Sequence, residues 1–311
     1  MPVYEPEIYN SVKKDLQYVD TGDIITDPTL HRGIPTNPTF ALFGANQFHN
    51  VKMAPVTYGR QGLTDKGPTS YIKTRDVTSI DYDFDLTDAS VTGILEWLCA
   101  MPLAYPDWNS KYVFATREPK TTEYVNKYLG CFPSSTTITF TTDGKPVHIN
   151  GTLAVSEPLA EDTTLPVIGA GAFAPANSAA MIVPSDGGAD SFTYDAVTYK
   201  TAGMTINITP VYDMVESDDS DFIDFAAPFK QQVTGSVNIY KKTGVDVLKA
   251  EVFGALDATM ERILLAGTSK LVLNDVRLTE HVDDRSSVDI PAGTIIPYPF
   301  EASELALAAS A

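Results

Sequence analysis

Asp81-Tyr82-Asp83-Phe84-Asp85-Leu86 alternates acidic and apolar residues without a break. Successive side chains of a strand point to opposite faces. The stretch therefore predicts a β-strand with Tyr82, Phe84 and Leu86 buried and three carboxylates outside. The spacing of the aspartates also resembles the start of a calcium loop. Such a loop needs Gly and Glu where this chain has Leu86 and Thr92, so the strand reading prevails.

Downstream, Val91, Ile94, Leu95 and Leu98 have the spacing of a short amphipathic helix, capped by Ser90 or Asp88. A hairpin is expected next. Ile138 and Phe140 lead to Asp143-Gly144, a favoured turn pair, and Val147, Ile149 and Leu153 return on one face. Upstream, residues 1–50 are rich in Pro, Asn and Thr and predict an extended arm with anchors at Tyr4, Tyr9, Leu30 and Phe40. Beyond the hairpin, residues 156–200 are dominated by Ala, Gly, Ser and Pro, which predicts a linker or inserted surface loop.

The second half follows a similar outline. Met204, Ile206 and Ile208 alternate as a strand, an acidic stretch runs from Glu216 to Asp224, and Val233, Val237 and Ile239 predict another strand. After Gly244, the stripe Val245, Leu248, Val252, Leu256, Met260 and Ile263 predicts a longer helix closed by Gly267. Leu271, Leu273, Val276 and Leu278 form a strand whose phase slips at Asn274-Asp275, the mark of a bulge or turn. The spacing from Val51 to Thr78 is 27 positions and that from Met204 to Val233 is 29. The pattern predicts an internal duplication: a β domain over 51–155, a second over 201–290, and a C-terminal tail over 291–311.

Composition narrows the function. The 311-residue chain carries 40 acidic and 22 basic residues, a net charge of −18, which opposes adhesion to nucleic acid or to anionic membranes. No apolar run is long enough to span a bilayer, and the first residues lack a secretory signal, so synthesis in a cytoplasm is expected. Cys99 and Cys131 match no metal or redox spacing and are expected to be free, buried thiols.

Catalytic constellations do not emerge. The histidines, His31, His49, His148 and His281, form no metal-binding pair, and neither a nucleophile elbow nor a phosphate loop is present. His281-Val282-Asp283-Asp284 offers a His–carboxylate neighbourhood but reads as a solvated strand end. No cofactor, metal or catalytic residue is expected. The stretch Glu216, Asp218, Asp219, Asp221 and Asp224 places five carboxylates in nine residues and reads first as a solvated loop.

Two segments carry a family likeness. One runs from Lys127 to Leu153 and contains Gly130-Cys131-Phe132-Pro133 followed by Ser135-Thr136-Thr137-Ile138. The other is Ala202 to Pro210 with the later strand Val233-Thr234-Gly235-Ser236-Val237. Together they resemble the tail tube proteins of long-tailed phages and related archaeal viruses, over about residues 50–285. The resemblance implies a β-sandwich or barrel with flanking helices, whose subunits form rings that stack into a hollow tube for the genome. For a duplicated chain it implies trimeric rings of pseudo-sixfold symmetry; for single domains, hexamers. It also implies tape-measure, tail-terminator and tail-tip proteins as partners, and a place in the virion.

In that setting the negative charge lets DNA slide without sticking. Asp81, Asp83 and Asp85, together with Glu216, Asp218, Asp219, Asp221 and Asp224, become candidates for the lumen or for a ring interface. Long loops over 57–77 and 212–231 become candidates for subunit contacts. Competing readings are another virion part (capsid, decoration or terminator protein), a carbohydrate-binding β-sandwich adhesin, and, last, a carboxylate hydrolase.

Overall fold

A computed structural model describes residues 16–20, 41–60, 70–88, 91–101, 111–117, 124–141, 144–158, 180–183, 192–216, 223–240, 258–265, 269–280 and 295–309. The first seven strands are β1 (Leu16–Asp20), β2 (Ala41–Leu42), β3 (Ala45–Arg60), β4 (Ser70–Asp85), β5 (Lys111–Arg117), β6 (Tyr124–Phe140) and β7 (His148–Pro158). The rest are β8 (Phe192–Tyr194), β9 (Val197–Thr198), β10 (Thr201–Glu216), β11 (Ile223–Tyr240), β12 (Ala258–Leu265), β13 (Ser269–Leu278), β14 (Ile295–Ala302) and β15 (Glu304–Ala308).

Hydrogen-bonded neighbours run β3-β4-β7-β6-β10-β11-β14-β13, every pair antiparallel. Two wings leave this run, β5-β1-β2 from β6 and β12-β8-β9 from β13. β15 continues past β14 along the same side of β13. The result is one curled antiparallel sheet, an open half-barrel. Strands from the two halves of the chain meet directly where β6 pairs with β10.

The alternation read from sequence holds in these strands. Ile80, Tyr82, Phe84 and Leu86 are buried, while Asp81, Asp83 and Asp85 are half-buried on the other face. Met204, Ile206 and Ile208 face the same core as Val233, Val237 and Ile239. Each fully buried side chain of this kind contributes roughly 1.5–3 kcal/mol. Leu271, Leu273, Val276 and Leu278 are buried despite the change of phase. Asp275 takes φ 50° at that point, and the β12–β13 register shifts beside it, so the expected bulge is present. The hairpin of β6 and β7 also forms, with Ile138 opposite Ile149. Its connection is longer than a two-residue turn, and Asp143 lies outside the described residues.

Two buried polar groups pin the layers together. The amide of Gln231 donates to the carbonyls of Cys99 (2.6 Å) and Ala100 (3.1 Å), and its oxygen accepts the Leu305 N–H at 2.8 Å. Tyr82 donates to the Ser135 carbonyl at 3.0 Å, and its hydroxyl meets Thr136 Oγ1, which donates to the Leu98 carbonyl. Burial pushes the Tyr82 hydroxyl far above its ordinary pKa, so it stays protonated and able to donate.

Two expectations need correction. The helix expected from Val245 to Ile263 is not what the described part shows: Ala258–Leu265 is strand β12. Ala258, Met260, Arg262 and Leu264 point into the core in alternation, and the arginine breaks the apolar pattern. It lies over the Phe140 ring at 5.2 Å and donates to Thr201 Oγ1. Residues 245–257 lie outside the described residues.

The short helix expected near Val91 is present as a π-helical stretch, Val91–Leu95, running into three α-helical residues, Glu96–Leu98, with Val91, Ile94, Leu95 and Leu98 buried. The helical run begins at Val91, and Ser90, one of the two capping candidates, lies outside the described residues.

The long loops over 57–77 and 212–231 are largely strand, forming the far halves of the β3–β4 and β10–β11 hairpins. β7 pairs only with Thr78–Asp85 of β4, so the far half of that hairpin is a two-stranded ribbon among the described residues. A ribbon without a second layer places little demand on side-chain alternation, and Lys52 to Pro55 at its base are all exposed. The spans read as an arm (1–50) and a tail (291–311) contain β1, β2 and the start of β3, and β14 and β15, respectively.

Candidate functional site

The sequence candidates on β4 form a strip on the outward face. Their partners come from the strands on either side, because Asp85 lies opposite His148 and Asp81 opposite Thr152 on β7. His148 Nδ1 is 3.1 Å from Asp85 and its Nε2 is 3.3 Å from Asp83. A protonated imidazole donates to both carboxylates, a neutral ring to one. Asn46 donates to the second oxygen of Asp85 at 2.7 Å. Asp81 accepts from Thr152 Oγ1 at 3.1 Å and is ion-paired with Lys52 on β3.

The strip is therefore negative but locally balanced. Exposed pairs of this kind add about 0–1 kcal/mol each, so its consequence is a surface potential rather than stability. Its aspartates sit at the end of β4 away from the β3–β4 turn. Of the Glu216–Asp224 group, Glu216 is the last residue of β10 and Asp224 the second of β11. Asp218, Asp219 and Asp221 fall outside the described residues, as does His281-Val282-Asp283-Asp284.

Among the described residues, no group of three or more His, Cys, Asp or Glu side chains is placed to hold a metal ion. Cys99 and Cys131 are free and buried as expected, and burial pushes both thiols well above their ordinary pKa.

The sequence did not single out the balancing role of His148, the Gln231 clamp or the edge formed by β3. A histidine inside an alternating strand carries no sign of its neighbours, and an edge is a property of pairing. β3 bears Phe48 and Met53, 58% and 63% exposed, and among the described residues its ladder partner is β4 alone. Exposed apolar side chains on an outer strand mark a surface suited to a further strand. No protein-family model matches the chain, and no curated protein matches it.

Proposed function

We propose that this chain is a structural subunit that polymerises as stacked rings into a hollow tube, the tail tube of a long-tailed virus, and that it carries no catalytic activity. The observation that supports the reading most is a pairing pattern that occurs twice. β2-β1-β5-β6-β7-β4-β3 and β9-β8-β12-β13-β14-β11-β10 are the same order of strands.

The registers agree in detail. The shift between Val56 and Thr57 in β3 answers to that between Val211 and Tyr212 in β10. Thr78–Asp85 pair with β7 as Val233–Tyr240 pair with β14. The shift between Lys111 and Val113 answers to that between Ala258 and Met260. Tyr18, between Ala41 and Val113, matches Tyr194, between Val197 and Met260. These correspondences align Val51 with Ile206 rather than Met204, and both spacings to the next strand, Val51 to Thr78 and Ile206 to Val233, become 27 positions.

In this reading the chain is two fused copies of one β unit, and three chains make a ring of six units. Among the described residues β3 pairs with β4 alone, and closing a ring gives the edges of a sheet partners. The two ribbons reach between stacked rings. Asp81, Asp83 and Asp85, with Glu216, Asp218, Asp219, Asp221 and Asp224, face the lumen or a ring interface, where negative charge keeps passing DNA from adhering. Terminator, tape-measure and tail-tip proteins complete the assembly in the virion.

Negative-stain electron microscopy of the purified protein, alone and with a tail-tip initiator, tests the reading. Hollow tubes or stacked rings with threefold or pseudo-sixfold averages are expected. A single ring that never stacks favours a terminator, and a protein that stays monomeric with the initiator present overturns the tube.

A further inference from the structure

We infer that the outward face of β7, β6, β10 and β11 is the wall past which nucleic acid slides, and that it releases its cargo because short neutral polar side chains pave it, not because of carboxylates. The inference rests on the tube reading and says which surface of the chain is turned to the channel. Pairing sets the side chains in rows. Asn150, Thr137, Asn207 and Thr234 lie opposite one another on β7, β6, β10 and β11, between Asp83 on β4 and Glu301 on β14. In the next row, Thr139, Thr205 and Ser236 follow His148. Their chain neighbours Ile149, Ile138, Ile206 and Val237 are buried in the core, so the two-residue period turns these side chains outward. The face crosses the β6–β10 seam without a break, and there Thr137 Oγ1 donates to Asn207 Oδ1 at 3.0 Å.

What these rows leave out decides their use. A surface shaped for solubility alone carries roughly 25–35% charged side chains. None of the side chains between His148 or Asp83 and Glu301 is charged, although the chain has 40 acidic and 22 basic residues. Phosphate contacts need Lys or Arg and base stacking needs aromatic rings, and neither stands in the rows between Asp83 and Glu301. Protein partners are anchored by Trp, Tyr or Arg, which the same rows lack. Carboxylates are not the shared property of the face. With Thr78–Asp85 matched to Val233–Tyr240, Asp81 and Asp83 correspond to Ser236 and Asn238, so the acidic strip does not recur in the second unit.

Hydroxyls and amides keep their water, and side chains this short cannot reach out to grip a passing strand. A lysine in the field supplies the contact it lacks. Each phosphate neutralised adds about 0.9 to the slope of log affinity against log salt, so a few lysines in every ring suffice to hold a duplex.

The test uses the full chain with Asn207→Cys, assembled with the tail-tip initiator and treated with a small maleimide or with a maleimide on a long polyethylene glycol chain. Cys99 and Cys131 are buried, which leaves position 207 as the labelled site. Both reagents are expected to label the monomer, whereas tubes keep the small label and lose the large one. Large-reagent labelling of tubes puts the face outside, and loss of both labels puts it in a joint between subunits. Either result overturns the wall and leaves the tube standing. Monomers that persist with the initiator present overturn the tube, and the wall with it. A second variant, Thr137→Lys with Asn207→Lys and Thr234→Lys, is assembled in the presence of short duplex DNA. Its tubes are expected to retain DNA that nuclease cannot reach and that salt releases, where wild-type tubes retain none. Variant tubes that hold no DNA, or hold it open to nuclease, overturn the inference, and the cysteine test decides wherever the lysines prevent assembly.

Discussion

Replacing Gln231 with leucine removes a clamp without changing the size of the side chain much. In the native protein the amide spans two stretches far apart in sequence, accepting from Leu305 N–H and donating to the carbonyls of Cys99 and Ala100. Gln231 is 3% exposed, so water cannot simply take over. An orphaned buried backbone group costs about 1–3 kcal/mol, the N–H toward the top of that range and a carbonyl, with two lone pairs, toward the bottom. Three groups together give a loss of about 3–5 kcal/mol, a large part of the roughly 5–15 kcal/mol that holds a domain. Part of that is offset by the apolar area leucine adds, which sets the lower figure. The assay is urea unfolding followed by fluorescence at equal slope, with Gln232→Leu on the exposed side of the same strand as control. A Gln231→Leu variant within 1 kcal/mol of wild type, with its slope unchanged, would show that these bonds contribute nothing net, and the reasoning fails.

Gly151→Ala places a Cβ against the Ser135 carbonyl and the Tyr82 hydroxyl, and Gly235→Ala places one against the Thr205 carbonyl and the Phe300 ring. Each should lower stability by about 1–3 kcal/mol in the same assay, whereas lysine at exposed Asn207 should change it little. Both thiols are pushed up by burial, so the reactive thiolate is scarce in the folded protein. Iodoacetamide at mildly alkaline pH should label neither Cys99 nor Cys131 until denaturant is added; rapid labelling of the native chain would contradict their burial. His148→Ala should cost less than about 1 kcal/mol, because its carboxylate partners are partly exposed, and a larger loss would mean the strip is structural. Neutralising Glu216, Asp218, Asp219, Asp221 and Asp224 together should impair ring assembly or genome passage in a tail reconstitution. Unchanged behaviour in both removes them from the lumen and interface.

The legible parts of the fold are those where one strand face is buried. Tyr82, Phe84, Ile206, Val237 and Leu273 lie on faces whose two-residue period survives in the sequence, and the phase slip at Asp275 announced its bulge. The period failed where a polar residue takes a core place. Arg262 does so in β12, leaving Met260 and Ile263 at a spacing that imitates a helix. It failed again in the ribbons, whose pairing is carried by backbone bonds and places little constraint on side chains. Of the candidate site, Asp81, Asp83 and Asp85 were readable as an outward strip, but not the company of His148 and Lys52, which comes from register. Under the proposed two-unit reading, Met204 is displaced by two places against Val51, which is why the two spacings read from sequence differ as 27 and 29.

On the proposed two-unit reading, the contrast between β3 and β10 has a meaning for the molecule before any assembly. Met204-Thr205-Ile206-Asn207-Ile208 meets its partner strand during folding of one chain and never has to survive in water, so it can be greasy. In His49-Asn50-Val51-Lys52-Met53 the histidine is buried and the valine half-buried, while Asn50, Lys52 and Met53 are exposed, and a lysine and an asparagine on an outer strand keep bare edges apart. On the proposed reading of two fused units, joining them in one polypeptide halves the number of sticky seams each ring must leave open while its parts accumulate.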